Sequence, residues 1–264
     1  MVKEFENNDW ALILGGSRGL GLASAKKLAK QGMNICIVHR DRKSDMPEIE
    51  KHFSEIRNCQ VALLSFNRDI LRPEHKREIL NEFKIKLGDE GKIKCLLHSV
   101  AKGNLKPMTE EGSNSLTVLD FDITIQAMAL SLYDWFKSLF DEQLLANDSR
   151  IISFTSEGGR RPLKNYAAVS AAKASLEAIT RNIALEFAPF GIRANCIQAG
   201  VTDTMSLRMI PGSDQIKKHA VTRNPFGRLT VEKDVANAVY LLCKKEASWI
   251  NGCILPVDGG EHLS

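Results

Sequence analysis

The chain has 264 residues, 44% of them hydrophobic and 26% charged, which suits one large α/β domain or two small ones. Its net charge of +4 comes from both signs mixed throughout, the pattern of an ordinary solvated surface, so no nucleic-acid partner is expected. No apolar run reaches the ~18–20 residues that span a bilayer, and the acidic, polar start "MVKEFENNDW" is not a signal peptide, so we expect a cytoplasmic protein without a membrane partner.

Short apolar runs alternate with longer helical patterns. "WALILGG" (10–16) predicts a strand ending in glycines, and "GLASAKKLAKQG" (21–32) a helix with a glycine stop. Further strands are expected at "NICIVHR" (34–40), "QVALLSF" (60–66), "KCLLHSVA" (94–101), "RIISFTS" (150–156), "IRANCIQAG" (192–200) and "CILPVDGG" (253–260). Continuous apolar strands between helices mean a parallel sheet covered on both faces. The expected fold is therefore α/β: a single-domain, doubly wound Rossmann fold over 1–264, with a seven-stranded parallel sheet flanked by helices. The six cysteines lack CxxC spacing and several lie in apolar runs, so they read as reduced, buried thiols rather than a disulfide set or metal site.

Ligands of such a sheet bind beyond the carboxyl ends of its strands. The first such end carries "LGGSRGLGLA", a Gly15-x3-Gly19-x-Gly21 loop opening a helix. Gly15 allows a sharp turn, Gly19 lets backbone approach a pyrophosphate, and Gly21 lets the helix pack closely on the sheet. With Ser17, Arg18 and Leu20 these residues form the expected dinucleotide loop. The second strand ends in "VHRDRK", which puts His39 and Arg40 where a carboxylate would otherwise meet a ribose 2′-hydroxyl. Arg40, joined by Arg18, suits a 2′-phosphate, so NADPH is the expected cofactor. Asp41 is a complication, but it falls after the arginine.

At this point the sequence resembles the short-chain dehydrogenase/reductase family. The resemblance rests on the glycine loop, "DI" at Asp69–Ile70, the serine-ended strand at Ser156, the Tyr166/Lys173 helix, "GIRANCI" and the terminal "VDGG", and so spans nearly the whole chain. Three departures are informative. The family's usual Asn-Asn-Ala-Gly is "HSVA" (98–101), its Pro-Gly after the sixth strand is "QAGVTDT" (198–204), and its tyrosine lies seven residues before the lysine instead of four. All three resemble the enoyl-[acyl-carrier-protein] reductase branch with its Tyr-x6-Lys signature. The ordinary glycine loop and Ser156 resemble the NADPH-preferring enoyl reductase III class of type II fatty acid synthesis.

On a helix, seven residues rotate ~700° and rise ~10.5 Å, against ~6 Å for four. Tyr166 would thus stay on the face of Lys173 but move one turn along the axis, free to address a different substrate atom. In enoyl reduction, hydride goes to the β-carbon and charge develops on the thioester oxygen, where a tyrosine hydroxyl would stabilise it. The resemblance gives Lys173 the cofactor ribose and an electrostatic role. Ser156 either adds a second donor or orders the pocket. The stripe Val169, Ala172, Leu176, Ile179, Ile183 and Phe187 reads as core or subunit interface.

The resemblance further implies cofactor contacts from Asp69, Ile70, Ser99, Val100, Ala101, Gly200, Val201, Thr202 and Thr204, with Thr202 or Thr204 on the carboxamide. His98 is open between a general acid and a satisfied histidine supporting its loop. Asp203 reads as a helix cap. The segment of about 204–228 corresponds to the family's substrate-binding lid, with Met205, Leu207, Met209 and Ile210 over an acyl chain. Its basic residues Arg208, Lys217, Lys218 and Arg223 suit an acidic acyl carrier protein. Expected partners are thus an enoyl thioester, acyl carrier protein and further copies in a homodimer or homotetramer. Rival readings are another short-chain reductase, of ketoacyl, dienoyl or carbonyl substrates, or a non-catalytic NADPH-binding protein.

Overall fold

The computed structural model describes residues 4–109 and 115–264. Seven strands form one parallel sheet: β1 (Asp9–Leu14), β2 (Asn34–His39), β3 (Leu63–Asn67), β4 (Lys92–His98), β5 (Leu145–Thr155), β6 (Ile192–Ala199) and β7 (Ile254–Val257). Their spatial order is β3-β2-β1-β4-β5-β6-β7. The chain builds outward from β1 to β3, then returns to lay β4 against the other side of β1. That reversal is the switch point at which a doubly wound sheet opens its ligand crevice.

Alternation along β1 feeds two cores. Ala11 and Ile13 pack with α1 (Gly19–Lys30), α2 (Met46–Arg57) and α9 (Glu232–Cys243). Trp10, Leu12 and Leu14 pack on the other face with α3 (Pro73–Leu87), α5 (Ser131–Asp141) and α6 (Ala167–Glu186). All six residues of β2 are buried, as a strand covered on both faces requires. Helix α1 presents Leu22, Ala25, Leu28 and Ala29 to the sheet, and Gly32 then turns the chain at φ +100°.

Thr117 and Asp120 cap α4 (Val118–Ile125) reciprocally, and Lys106 pairs with the same carboxylate at 3.1 Å. A π-helical turn, Gln126–Leu130, then leads into α5. The stretch 204–228 folds as α7 (Met205–Arg208), α8 (Ser213–Arg223) and a turn running to Thr230, which bridges Thr202. Among the described residues, no helix is long and apolar enough to cross a membrane.

The expected strands all form, with shifted ends. β3 starts at Leu63, not Gln60, because Gln60 takes a left-handed turn at φ +57°. The predicted stripe of α6 is core: Val169, Ala172, Leu176 and Ile183 are buried, and Ile179 and Phe187 half-buried against the second core. One expectation needs correction. Tyr166 is not inside a helix; it is the N-cap of α6, with φ −117° and ψ 4°, although its carbonyl still accepts from the Ser170 N–H at 2.7 Å.

Candidate active site

The glycine loop follows β1. A Cβ on Gly15, whose φ is +87°, would stand 2.2 Å from the Ser99 carbonyl oxygen, and one on Gly21 would stand 2.2 Å from the Gly15 carbonyl oxygen. Neither position accepts a side chain, so the loop folds tightly onto "HSVA". Gly19 opens α1, and the Thr204 methyl would lie 3.5 Å from a Cβ placed there, so the loop and the segment after β6 face each other. No side chain caps α1, and its first turn carries no acid. An uncapped, acid-free helix start of this kind fits a pyrophosphate.

At the end of β2 the organising residue is Asp41. Burial works against its charge, but hydrogen bonds from Ser17, His39 and Arg18 hold its carboxyl below the usual range. His39 is buried edge-on to Phe53 and reaches Asp41 at 2.8 Å, so it stands behind Asp41 rather than facing the crevice. Arg18 bonds Asp41 at 3.2 Å and Asp45 at 3.0 Å, and Arg40 bonds Asp69 at 2.9 Å. Both arginines expected at a 2′-phosphate are thus beside the crevice but held by carboxylates. Asp69 also accepts from the Leu71 N–H at 3.0 Å, and the Ile70 carbonyl accepts from the Trp135 indole at 3.0 Å.

After β4, the Ser99 N–H donates to Leu14 at 2.8 Å, Val100 packs against the second core and Ala101 is exposed. His98 is buried. The Ser131 hydroxyl donates to the Ala127 carbonyl at 2.8 Å, so it accepts from His98 Nε2–H at 2.7 Å. That leaves Nδ1 as a buried acceptor with no partner of proper geometry among the described residues. Burial, then the charge of Lys173, pushes the imidazole pKa down to about 3. Of the two roles open for His98, this burial and the bond to Ser131 favour the histidine that supports its loop.

The tyrosine and serine do come together. Ser156 directly follows β5 and stands at the N-cap of a tight turn, Glu157–Gly159. A Cβ on Gly158 would strike the Tyr166 ring at 2.6 Å, so glycine there lets the ring lie across the turn. Ser170 fixes the same turn by donating to the Gly158 carbonyl at 2.5 Å. Burial raises the phenol pKa of Tyr166, and the Ser156 hydroxyl beside it offsets part of that rise. Ser156 Oγ is buried and makes no hydrogen bond of proper geometry among the described residues. Lys173 is not directed at the tyrosine: its Nζ donates to the Phe154 carbonyl at 2.7 Å. Burial lowers its pKa to about 8.

Beyond β6, the Gly200 N–H donates to Val257 at 3.2 Å and the Val201 N–H to Glu261 Oε2 at 3.1 Å. Thr202 is buried and donates to the Gly200 carbonyl at 3.0 Å. The cap of α7 is Thr204, which accepts from the Leu207 N–H at 3.3 Å. Asp203, expected as that cap, instead takes Arg208 at 2.9 Å and Lys217 at 3.7 Å. Lys217 also pairs with Asp214 at 2.8 Å, and Arg223 is buried on Glu157 at 2.9 Å. Of the four basic residues expected to face a carrier, Arg223 therefore points inward. Lys218 is exposed and forms no ion pair among the described residues. Reasoning from sequence missed Gly158, Ser170, Glu157 and Glu261; the glycine pair in "SEGG" was the one signal available for the first.

The family model described as enoyl-(acyl carrier protein) reductase matches residues 15–262. An enoyl-[acyl-carrier-protein] reductase [NADPH] of Staphylococcus aureus is 26% identical over 261 residues, covering 97% of each chain. A peroxisomal 2,4-dienoyl-CoA reductase of mouse is 28% identical over 257 residues, covering 96% of this chain and 84% of its own. The crystal structure of an enoyl-[acyl-carrier-protein] reductase (NADH) from Aquifex aeolicus superposes with a TM-score of 0.81 at 24% identity, covering 97% of both chains, which shows the shared fold. The chain belongs to the short-chain dehydrogenase/reductase family, in its enoyl-[acyl-carrier-protein] reductase branch, whose members are oxidoreductases that use nicotinamide cofactors.

Proposed function

We propose that this protein reduces the 2,3 double bond of enoyl thioesters with NADPH, as an enoyl-[acyl-carrier-protein] reductase of type II fatty acid synthesis. The observation that carries the reading is the placement of Tyr166 beside the Ser156 hydroxyl, which has no other partner among the described residues. The position four before Lys173, where the wider family has its tyrosine, is Val169, which is buried against Ala127, Met128 and Ala172. No hydroxyl is available there for a ketone.

The glycine loop and the uncapped α1 would hold the pyrophosphate, Arg18 and Arg40 the 2′-phosphate, and residues 99–101 and 200–204 the nicotinamide end. A bound nicotinamide would supply the hydride to the β-carbon. Tyr166, kept protonated by burial, donates to the thioester oxygen as negative charge develops there. Ser156 Oγ is the second donor. Lys173 supplies positive charge from behind at neutral pH, since its pKa of about 8 leaves it mostly protonated there.

The exposed Met205 and Met209 and the half-buried Leu207 and Ile210 would cover the acyl chain, and Lys218 would face the carrier. Free cysteines fit a reducing cytoplasm. Exposed Leu185, Phe190, Leu241 and Trp249 suit burial in a homo-oligomer. The similarity to the mouse enzyme favours a second reading, reduction of dienoyl thioesters, which uses the same donors. Replacing Tyr166 with Phe tests the core of the proposal. Turnover should fall by roughly 10²–10³, the scale of one lost oxyanion donor, with fold and NADPH affinity kept. Turnover near that of the wild type would sink it.

A further inference from the structure

Arg223 is the last residue of α8, and its side chain is mostly enclosed, 11% exposed against 31% for Glu157. One terminal nitrogen meets both carboxylate oxygens of Glu157, at 2.9 and 3.1 Å, and the other meets one of them at 3.1 Å. The nitrogen that spans both oxygens also donates to the Glu261 carbonyl at 2.8 Å. Glu157 directly follows Ser156 and opens the turn on which the Tyr166 ring lies. The side chain of Glu261 takes the Val201 N–H at 3.1 Å, in the loop after β6. A single side chain therefore joins the end of the lid segment to the serine–tyrosine turn and to the residue that holds the 200–202 loop.

Such a pair adds little to stability alone, because Glu157 keeps 31% of its side chain exposed and solvent screens the attraction. Nε of Arg223 has no partner among the described residues, which costs stability further. What the arrangement does supply is geometry. A planar guanidinium on a carboxylate fixes distance and orientation together, which a lysine in its place does not.

We propose that Arg223 is a positioning residue that transmits acyl-chain contacts at α7 and α8 to the Ser156–Tyr166 turn, so that turnover depends on the length of the acyl chain. The inference rests on the enoyl-thioester reading given above. A long chain touching Met205, Leu207, Met209 or Ile210 fixes α8, and through Arg223 and Glu157 it fixes the two hydroxyls that meet the thioester oxygen. A crotonyl group, being much shorter, makes fewer contacts with that segment and gains less from the link.

The test has two arms. In the first, kcat is compared for dodecenoyl and crotonyl thioesters of N-acetylcysteamine in wild type, Arg223→Gln, Arg223→Lys, Glu157→Gln and the Arg223→Gln/Glu157→Gln pair. The long-chain advantage in kcat should shrink by about 5- to 150-fold in Arg223→Gln, the span of ordinary coupling between sites. The double variant should be no worse than either single one, and Arg223→Lys should recover only part of the loss. An unchanged chain-length ratio, or additive losses, overturns the proposal.

The second arm needs no turnover. Hydrogen exchange is followed while the saturated, unreactive dodecanoyl thioester binds the NADPH complex. In wild type, protection should spread from residues 205–223 to 157–166, and in Arg223→Gln it should stay within 205–223. Protection of 157–166 that is absent in wild type, or equal in the variant, overturns the coupling. Failure of the enoyl reading would look different: wild type would oxidise NADPH with neither enoyl thioester, whatever the exchange pattern.

Discussion

Replacing His98 with Gln should flatten the acid side of the protein's stability profile. The folded imidazole has its pKa depressed to about 3, against 6.5 for the free group. Between those values the unfolded chain takes up a proton that the folded chain does not, so stability is lost as pH falls below 6.5 and the loss is complete near 3. Linkage puts the loss between pH 7 and pH 5 at about 2 kcal/mol from this one side chain. Gln keeps a polar atom near the Ser131 hydroxyl and cannot take up the proton. Urea unfolding at pH 7, 6 and 5 gives ΔG for both proteins, and carboxylates common to both cancel in the difference. Wild type should lose about 2 kcal/mol more than the variant over that range. Parallel curves would mean that His98 takes up its proton equally in the folded and unfolded chain, and the depressed value would be wrong.

Gly21→Ala puts a Cβ where the Gly15 carbonyl stands 2.2 Å away, so backbone must move, at a cost of about 1–3 kcal/mol. NADPH affinity should fall with it, and unchanged affinity by fluorescence titration would show that the loop does not bind the cofactor. Arg40→Glu should reverse a preference for NADPH over NADH in kcat/KM; equal use of both cofactors by wild type would remove the 2′-phosphate assignment. Lys218→Glu should raise KM for carrier-linked substrate, with an effect that shrinks at high salt and spares N-acetylcysteamine thioesters. Equal losses on both substrates would place the damage in the lid itself.

The sheet was legible because buried parallel strands read as unbroken apolar runs, and β2 is buried at every position. The stripe on α6 was equally plain, since its period matches the helix. The site was less so. Seven-residue spacing put Tyr166 and Lys173 on one helical face, but helical periodicity says nothing about a residue at the N-cap. What places the tyrosine is the space left by Gly158, a contact across a turn. Charges were the hardest to read. Arg18, Arg40, Arg208 and Arg223 looked like free cations in the sequence, and each meets a carboxylate in space. Asp41 and Asp45 are near in sequence to the second strand's end, but Glu157 is far from Arg223, and only the fold brings that pair together.

The measurement that bears most directly on enoyl reduction is NADPH oxidation with crotonyl and acetoacetyl thioesters compared on the same carrier. The proposed role of Tyr166 at a thioester oxygen, with Val169 filling the usual tyrosine position, predicts oxidation with the crotonyl thioester and none above background with the acetoacetyl thioester. Faster oxidation with the acetoacetyl thioester would contradict the account and make this protein a carbonyl reductase on the same scaffold.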